Sequence, residues 1–167
     1  MTVSELIRTK RAVRQFTDEP LSEEAIRSIL NAGRRAQSSK NTQPWHFIAI
    51  RDRATLRQLA ECGAYAGHLA GAPCAVALIA SSADSFDLGQ AAAYMQLAAW
   101  DLGIGSCIAS MWEPEKAKAI LGVPQDLHFD VAISFGYPLP KGEHSRAPKP
   151  NGRKPFEEVV FWDRWGG

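Results

Sequence analysis

Residues 38–50 read SSKNTQPWHFIAI, which sets two serines, an asparagine and a glutamine directly before Pro44 and Trp45. Two readings fit. Ser, Asn and Pro are turn formers, and Trp45 can simply begin a core strand. Alternatively, the loop holds a flat ligand with a polar edge. A second pattern is charge: residues 1–57 carry eleven Lys or Arg, residues 58–115 carry none, and six more fall between Lys141 and Arg164. If the two ends meet, they form a small anion site beside an apolar middle; otherwise they are a solvated basic surface. Ordinary catalytic constellations are missing from the sequence. It has no GxSxG elbow, no HExxH and no Walker loop, and Gly103-Ile104-Gly105 lacks the third glycine of a dinucleotide fingerprint. His46, His68, His128 and His144 show no metal-ligand spacing and read as surface or packing residues. An enzyme with this inventory leaves the difficult chemistry to a bound cofactor.

The elements that must position these residues are those of an ordinary globular chain. At 167 residues, with 46% apolar and 22% charged residues, it fits one domain spanning 1–167 and can bury a core. A formal net charge of +1 gives no overall field for gripping nucleic acid or an anionic membrane. Cys62, Cys74 and Cys107 are odd in number and lack C-x-x-C spacing, so neither a disulfide framework nor a zinc site is expected. That suits a reducing cytoplasm. The opening MTVSELIRTKR does not resemble a signal peptide, and the longest apolar segment, Leu69 to Ala80, is too short for a membrane span.

Periodicity then places the motifs. Ser22-Glu23-Glu24 starts a helix running to about Ala36, with Ile26, Ile29, Leu30 and Gly33 on one face. Phe47–Ile50 reads as a short strand, and Asp52 caps a helix carrying Leu56 and Leu59 that stops at Gly63. AVALIA at 75–80 suits a central strand covered on both faces. From Phe86 to Leu102 the apolar positions keep a helical period, and Tyr94, Leu97 and Trp100 occupy the remaining face, so this helix is expected to be buried nearly all round, by the same chain or by a second copy. CIAS at 107–110 is a strand, Pro114 and Gly122 frame a short helix, and the alternation of Phe129, Val131, Ile133 and Phe135 predicts a strand with one buried face. Residues 138–167 form a C-terminal arm, with a strand expected around Val159 to Phe161. Strands separated by helices indicate a layered α+β or α/β domain.

Four ordered blocks carry a resemblance: KRAVRQF at 10–16, PLSEEAIRSILNAGRRAQSSKNTQPWHFIAI at 20–50, AAWDLGIGSCIAS at 98–110, and FGYPLP with GRKPFEEVV at 152–160. Together they resemble the nitroreductase family of FMN-dependent flavoproteins, almost over the whole chain. The resemblance implies an α+β, three-layer α/β/α domain with a mostly antiparallel central sheet, assembled as an intertwined homodimer with FMN at the subunit interface. It implies an NAD(P)H oxidoreductase in which hydride passes from NADH or NADPH to flavin N5, and a small electron-poor acceptor such as a nitroaromatic or quinone is then reduced. No side chain is required as a catalytic acid or base, and no metal is expected. Other flavin reactions of the family, namely substrate dehydrogenation, dehalogenation or flavin cleavage, stay open, as does a non-catalytic flavin-binding module.

The same resemblance assigns the residues. Ser38, Ser39 and Asn41 lie against the ring, often that of the partner subunit, while Pro44 and Trp45 lock the loop onto the sheet. Lys10, Arg11, Arg153 and Lys154 clamp the phosphate by charge-assisted hydrogen bonds. Arg14 approaches the N1/O2 edge of the ring, where a cation favours electron uptake. Ala12, Gly105 and Ser106 complete the cofactor set. Ala12 replaces a serine frequent in relatives, which leaves only backbone contacts at that position, and Gln37 replaces a usual proline. The stretch from Gly63 to Phe86 is short, so the substrate side is covered differently, with His68, Phe86 and Trp112 as pocket candidates.

Overall fold

The computed structural model describes residues 1–81, 85–142 and 152–166. Helix α1, Val3–Thr9, starts with a reciprocal cap: the Thr2 hydroxyl accepts the Glu5 N–H, and the Glu5 carboxylate accepts the Thr2 N–H. The sequence reading placed no helix there, although T-x-x-E is a start signal. Helices α2, Glu23–Arg34, and α3, Arg53–Ala60, begin where expected, with Ser22 capping the Ala25 N–H and Asp52 the Thr55 N–H. Helix α4 spans Ser85–Asp101 and α5 spans Pro114–Leu121; the latter stops at Gly122, whose φ of 65° is the left-handed geometry glycine adopts most easily.

Four strands, β1 (Trp45–Ile50), β2 (Cys74–Ala80), β3 (Gly105–Ser110) and β4 (His128–Gly136), form one antiparallel sheet in the order β1-β2-β4-β3. Two apolar cores lie on its faces. One gathers Leu56, Leu59, Leu69 and Phe129 beneath α3 and α5; the other gathers Ile29, Val76, Met95, Ile133 and Phe135 beneath α2 and α4. The architecture is therefore the expected α+β, with helices on both sides of the sheet. Every residue of β2 is buried, as the uninterrupted AVALIA run predicted. β4 departs from the expected single buried face: Ala132 and Ser134 are buried along with Ile133 and Phe135. Its inner position between β2 and β3, under helices on both sides, is the cause.

Within the single chain α4 is covered on one side: Ala91, Ala92, Met95 and Ala99 face the core, whereas Phe86, Gly89, Ala93 and Tyr94 are exposed, so burial all round would take a second copy. The expected strand at Val159 to Phe161 is instead the end of a short helix, α6 (Phe156–Val159), followed by extended Val160. Glu157 and Glu158, in the first turn after the Pro155 cap, favour a helix start, because carboxylates complement the positive end of the helix. Phe156, Val159, Trp162 and Trp165 of this arm are all exposed. Residues 143–151 of the arm and 82–84 of the short 63–86 stretch lie outside the described residues.

The segment after α1 is what fixes the basic end of the chain. Ala12 makes a parallel bridge to Ser106, with the Val13 N–H donating to the Ser106 carbonyl at 2.9 Å. Farther on, the Thr17 N–H donates to the Tyr137 carbonyl at 2.9 Å, and the Leu139 N–H donates to the Gln15 carbonyl at 3.0 Å. The close approach requires glycine twice. A Cβ on Gly105 would stand 2.6 Å from the Val13 Cβ, and one on Gly136, the cross-strand partner of Gly105, would stand 2.8 Å from the Phe16 ring. Gly105→Ala should therefore destabilise the protein by about 1–3 kcal/mol, the usual cost of overpacking, seen as a lower urea midpoint; an unchanged midpoint would mean that Val13 does not cross the strand.

Candidate functional site

Positive charge from both ends of the chain converges at the start of β3. Lys10, half-buried at the end of α1, has its pKa lowered chiefly by burial; Cys107 opposes the shift, and the nearby charge of Arg153 adds to it. Arg14, on the segment bridged to β3, reaches the Cys107 thiol. Burial raises the Cys107 pKa, while Arg14 and Lys10 pull it back. Lys10, Arg14 and Arg153 thus surround one patch, although Arg153 is supplied by the far end of the sequence. Lys10 is the cation disfavoured by burial and by the neighbouring charge of Arg153, and an anion bound there would offset both.

The remaining sequence-predicted residues divide into two groups. Arg11 turns its Nη1 back to the carbonyls of Arg8, Thr9 and Lys10 at 3.1–3.2 Å and so caps α1. Lys154 is exposed beside Arg153, and Ala12 is exposed on its bridge to Ser106. Gly105 is buried beneath Val13, and the Ser106 hydroxyl accepts the Gln96 Nε2 amide at 3.1 Å inside the core. In this chain Gly105 and Ser106 hold the Lys10–Arg14 segment in place rather than opening a side chain to solvent.

The loop Ser38–Gln43 is folded on itself. The Ser38 hydroxyl accepts the Gln43 N–H at 2.9 Å, the Asn41 N–H donates to the Ser38 carbonyl at 3.0 Å, and Lys40, Asn41 and Gln43 have φ of 50°, 55° and 49°. Ser39, Lys40 and Asn41 remain exposed. Pro44 and Trp45 are buried at the root of the loop, and the Pro44 carbonyl accepts the Ser81 N–H at 2.9 Å, so the anchoring role expected of them matches the packing. Within one subunit this loop and the cationic patch occupy opposite ends of α4. The Ser39 N–H donates to Asp87 at the helix start, while the Trp100 indole near its end donates to the Thr9 hydroxyl. At 1.5 Å rise per residue these anchor points are about 20 Å apart.

The three expected pocket residues stand in different surroundings within the single chain. His68 is buried at 9% exposure, with Nδ1 2.8 Å from the Ser134 hydroxyl, which itself donates to the Cys107 carbonyl at 3.3 Å. Because Ser134 spends its one proton on that carbonyl, His68 Nδ1–H is the donor to Ser134, and the buried Nε2 is left without a partner. Phe86 stands exposed at the start of α4, one residue from Asp87 and hence close to the 38–43 loop. Trp112 is exposed after β3, edge-on to Tyr65 with ring centroids 6.1 Å apart. Sequence reasoning missed Asp87 and Gln96, both buried polar residues on α4; a charged and an amide residue interrupting that apolar helix were the available signal. A groove of about 1120 Å³ runs elsewhere, between α2 and β1, lined by Arg27, Asn31, Arg34, Trp45 and Phe47 among others. The three cysteines are buried and unpaired, and burial pushes the Cys74 thiol up to about 11. Among the described residues no group of His, Cys, Asp and Glu could hold a metal, and no helix is long and apolar enough to cross a membrane.

The architecture is an antiparallel sheet sandwiched between helices, with a cationic patch and a separate polar loop. Comparison makes this specific. The sequence model of the nitroreductase family matches residues 7–66 and 60–137, and the chain belongs to that family. It is 34% identical over 145 residues to an Archaeoglobus fulgidus protein provisionally named as an NADH dehydrogenase/NAD(P)H nitroreductase, covering 80% of this chain and 83% of that one. It is 28% identical over 194 residues to a Thermus thermophilus NADH dehydrogenase, covering 92% of each. Its fold superimposes on an FMN-dependent nitroreductase from Clostridium difficile R20291 with a TM-score of 0.84 and 26% identity, over 96% of this chain and 98% of that one.

One pH dependence follows from the buried histidine. Burial, and secondarily the charge of Arg14, lowers the pKa of His68 from 6.5, against a weaker opposing contribution from the Ile108 backbone. The unfolded chain therefore binds the proton first as pH falls, and stability declines below pH 6.5 until the folded-state pKa is passed. An NMR titration should find His68 still neutral at pH 6.5; a midpoint at or above that value would contradict its burial.

Proposed function

We propose that the protein is a homodimeric, FMN-dependent oxidoreductase that draws electrons from NADH or NADPH and reduces small electron-poor acceptors such as nitroaromatics or quinones. The observation that carries this reading is the convergence of Lys10, Arg14 and Arg153, from opposite ends of the chain, on one patch beside β3. These residues fit an FMN. Lys10 and Arg153, with Lys154 exposed beside them, suit a phosphate dianion, and Arg11 can join them only by leaving the α1 carbonyls. Arg14 supplies positive charge for the ring edge, and Ala12 supplies backbone groups alone. Bound FMN would supply hydride acceptance at N5 and electron delivery to the second substrate. The chain's own part is to orient the cofactor and polarise its edge.

The dimer completes the site. Ser39 and Asn41 lie about 20 Å along α4 from the patch in one subunit. A second copy packed antiparallel on the open face of α4 would bring its own loop beside Lys10. That face presents Gly89 and Ala93, small residues that permit close approach, flanked by Phe86 and Tyr94. Intertwining is supported by the exposed aromatic arm carrying Phe156, Val159, Trp162 and Trp165, and by β1, whose outer edge pairs with no strand among the described residues.

The purified protein should be yellow, with the absorbance bands of oxidised flavin. Arg153→Ala should weaken FMN binding roughly 10- to 100-fold in a fluorescence titration, the magnitude of one lost charge-assisted contact; undiminished affinity would remove Arg153 from the site. Anaerobic mixing with NADH or NADPH should bleach the flavin, and failure of both would favour a non-catalytic flavin-binding protein. Ala93→Glu, which sets a carboxylate on the open face of α4, should give a monomer by sedimentation that no longer retains FMN. A dimer unaffected by that change would place the interface elsewhere.

A further inference from the structure

We propose that Asp87, a residue outside the family-derived site, is the positioning residue that holds loop 38–43 in the shape a ligand meets. The loop is an unlikely structure for its composition. Lys40, Asn41 and Gln43 all sit in the left-handed region, at φ of 50°, 55° and 49°, without a glycine among them. Backbone of this kind persists only where its surroundings over-determine it. Most of the loop's hydrogen bonds are local: Ser38 hydroxyl to Gln43 N–H, Ser38 carbonyl to Asn41 N–H, and Ser39 carbonyl to Thr42 N–H. They shape the loop but do not fix its place on the body. At its far root the Pro44 carbonyl is tied to Ser81. On the near side, a bond crosses to another element from the Ser39 N–H to Asp87 Oδ2, at 3.1 Å, over 48 residues of sequence.

Asp87 is built for that task. It is only 4% exposed, although aspartate is seldom buried without partners. Its other oxygen accepts the Gln90 Nε2 amide at 3.5 Å, one turn along α4, so the carboxylate is steadied from its own helix while it reaches the loop. A position in the first turn also favours negative charge. With the Ser39 amide held inward, the side chains of Ser39, Lys40 and Asn41 are left exposed for contact. The rival role for Asp87 is that of a charge complementing the helix end, with the loop bond incidental. The two differ in what asparagine can replace: Asn keeps an oxygen acceptor for the Ser39 N–H and removes the charge.

The functional half of this inference rests on the FMN-binding reading above; the structural half does not. The experiment therefore measures two things on wild type, Asp87→Ala and Asp87→Asn: amide hydrogen exchange at residues 38–43 in the flavin-free protein, and FMN affinity. Asp87→Ala should lose protection at Ser39 and bind FMN about tenfold more weakly or worse, while Asp87→Asn should restore both to near wild-type values. Retained protection at Ser39 in Asp87→Ala overturns the proposal, and so does an Asn variant as impaired as the Ala variant, which would assign the effect to charge. Lost protection with unchanged FMN affinity overturns the ligand-positioning half. Should Asp87→Ala fail to fold, the Asn variant decides: wild-type protection and affinity support positioning, and loss of either contradicts it. A wild type that binds no FMN refutes the proposed function, and exchange at Ser39 still judges the role of Asp87.

Discussion

The crossing of Val13 over Gly105 is the contact on which the rest of this molecule depends. Because position 105 carries no side chain, the segment after α1 can lie against β3, and the Val13 N–H can reach the Ser106 carbonyl. That single approach determines where Lys10 and Arg14 go. It also leaves Ser106 facing inward, where the Gln96 amide satisfies its hydroxyl. A glycine, a buried serine and a buried glutamine, none of them chemically reactive here, thus set the location of the cationic patch. Phe16 against Gly136 repeats the device at the end of β4, so the segment is held at two points along its length.

Helix α4 is the second organising element, and it works as a spacer. Asp87 at its start carries the polar loop, and Trp100 near its end anchors Thr9 beside the cationic segment. Its inner face is fixed by Met95, which lies so close to Gly33 that α2 could not carry a larger residue there without displacing it. Its outer face is open. The separation of the two polar features is therefore a property of helix length.

Local chemistry made much of this legible in the sequence. Ser22, Asp52, Pro114 and Gly122 are start and stop residues whose side chains or backbone act within a few positions, so helix boundaries could be read from them. The all-buried β2 was equally plain, because an uninterrupted apolar run suits a strand covered on both sides. What escaped was set by tertiary packing. At Val159 two local signals competed, the β-branched Val159-Val160 pair for a strand and Pro155 with Glu157 and Glu158 for a helix start, and the helix prevailed. His68 was a pocket candidate because it lies in the short 63–86 stretch expected to cover the substrate side, yet its ring is tied to buried Ser134, 66 residues away. Asp87 went unnoticed because its partner is the backbone of Ser39, and an N–H leaves no trace in residue identity. The candidate site residues were identifiable through resemblance, whereas their convergence required the bridge of Ala12 to Ser106.

The burial of Cys74 has a bearing on chemical durability. With its pKa pushed up to about 11, the thiol exists as thiolate in only about one molecule in ten thousand near neutral pH. Oxidants attack the thiolate, so this protonated, buried sulfur is a poor target for them. Cys62 and Cys107 are likewise buried, and burial raises the pKa of each thiol, against an opposing pull from Arg14 and Lys10 at Cys107.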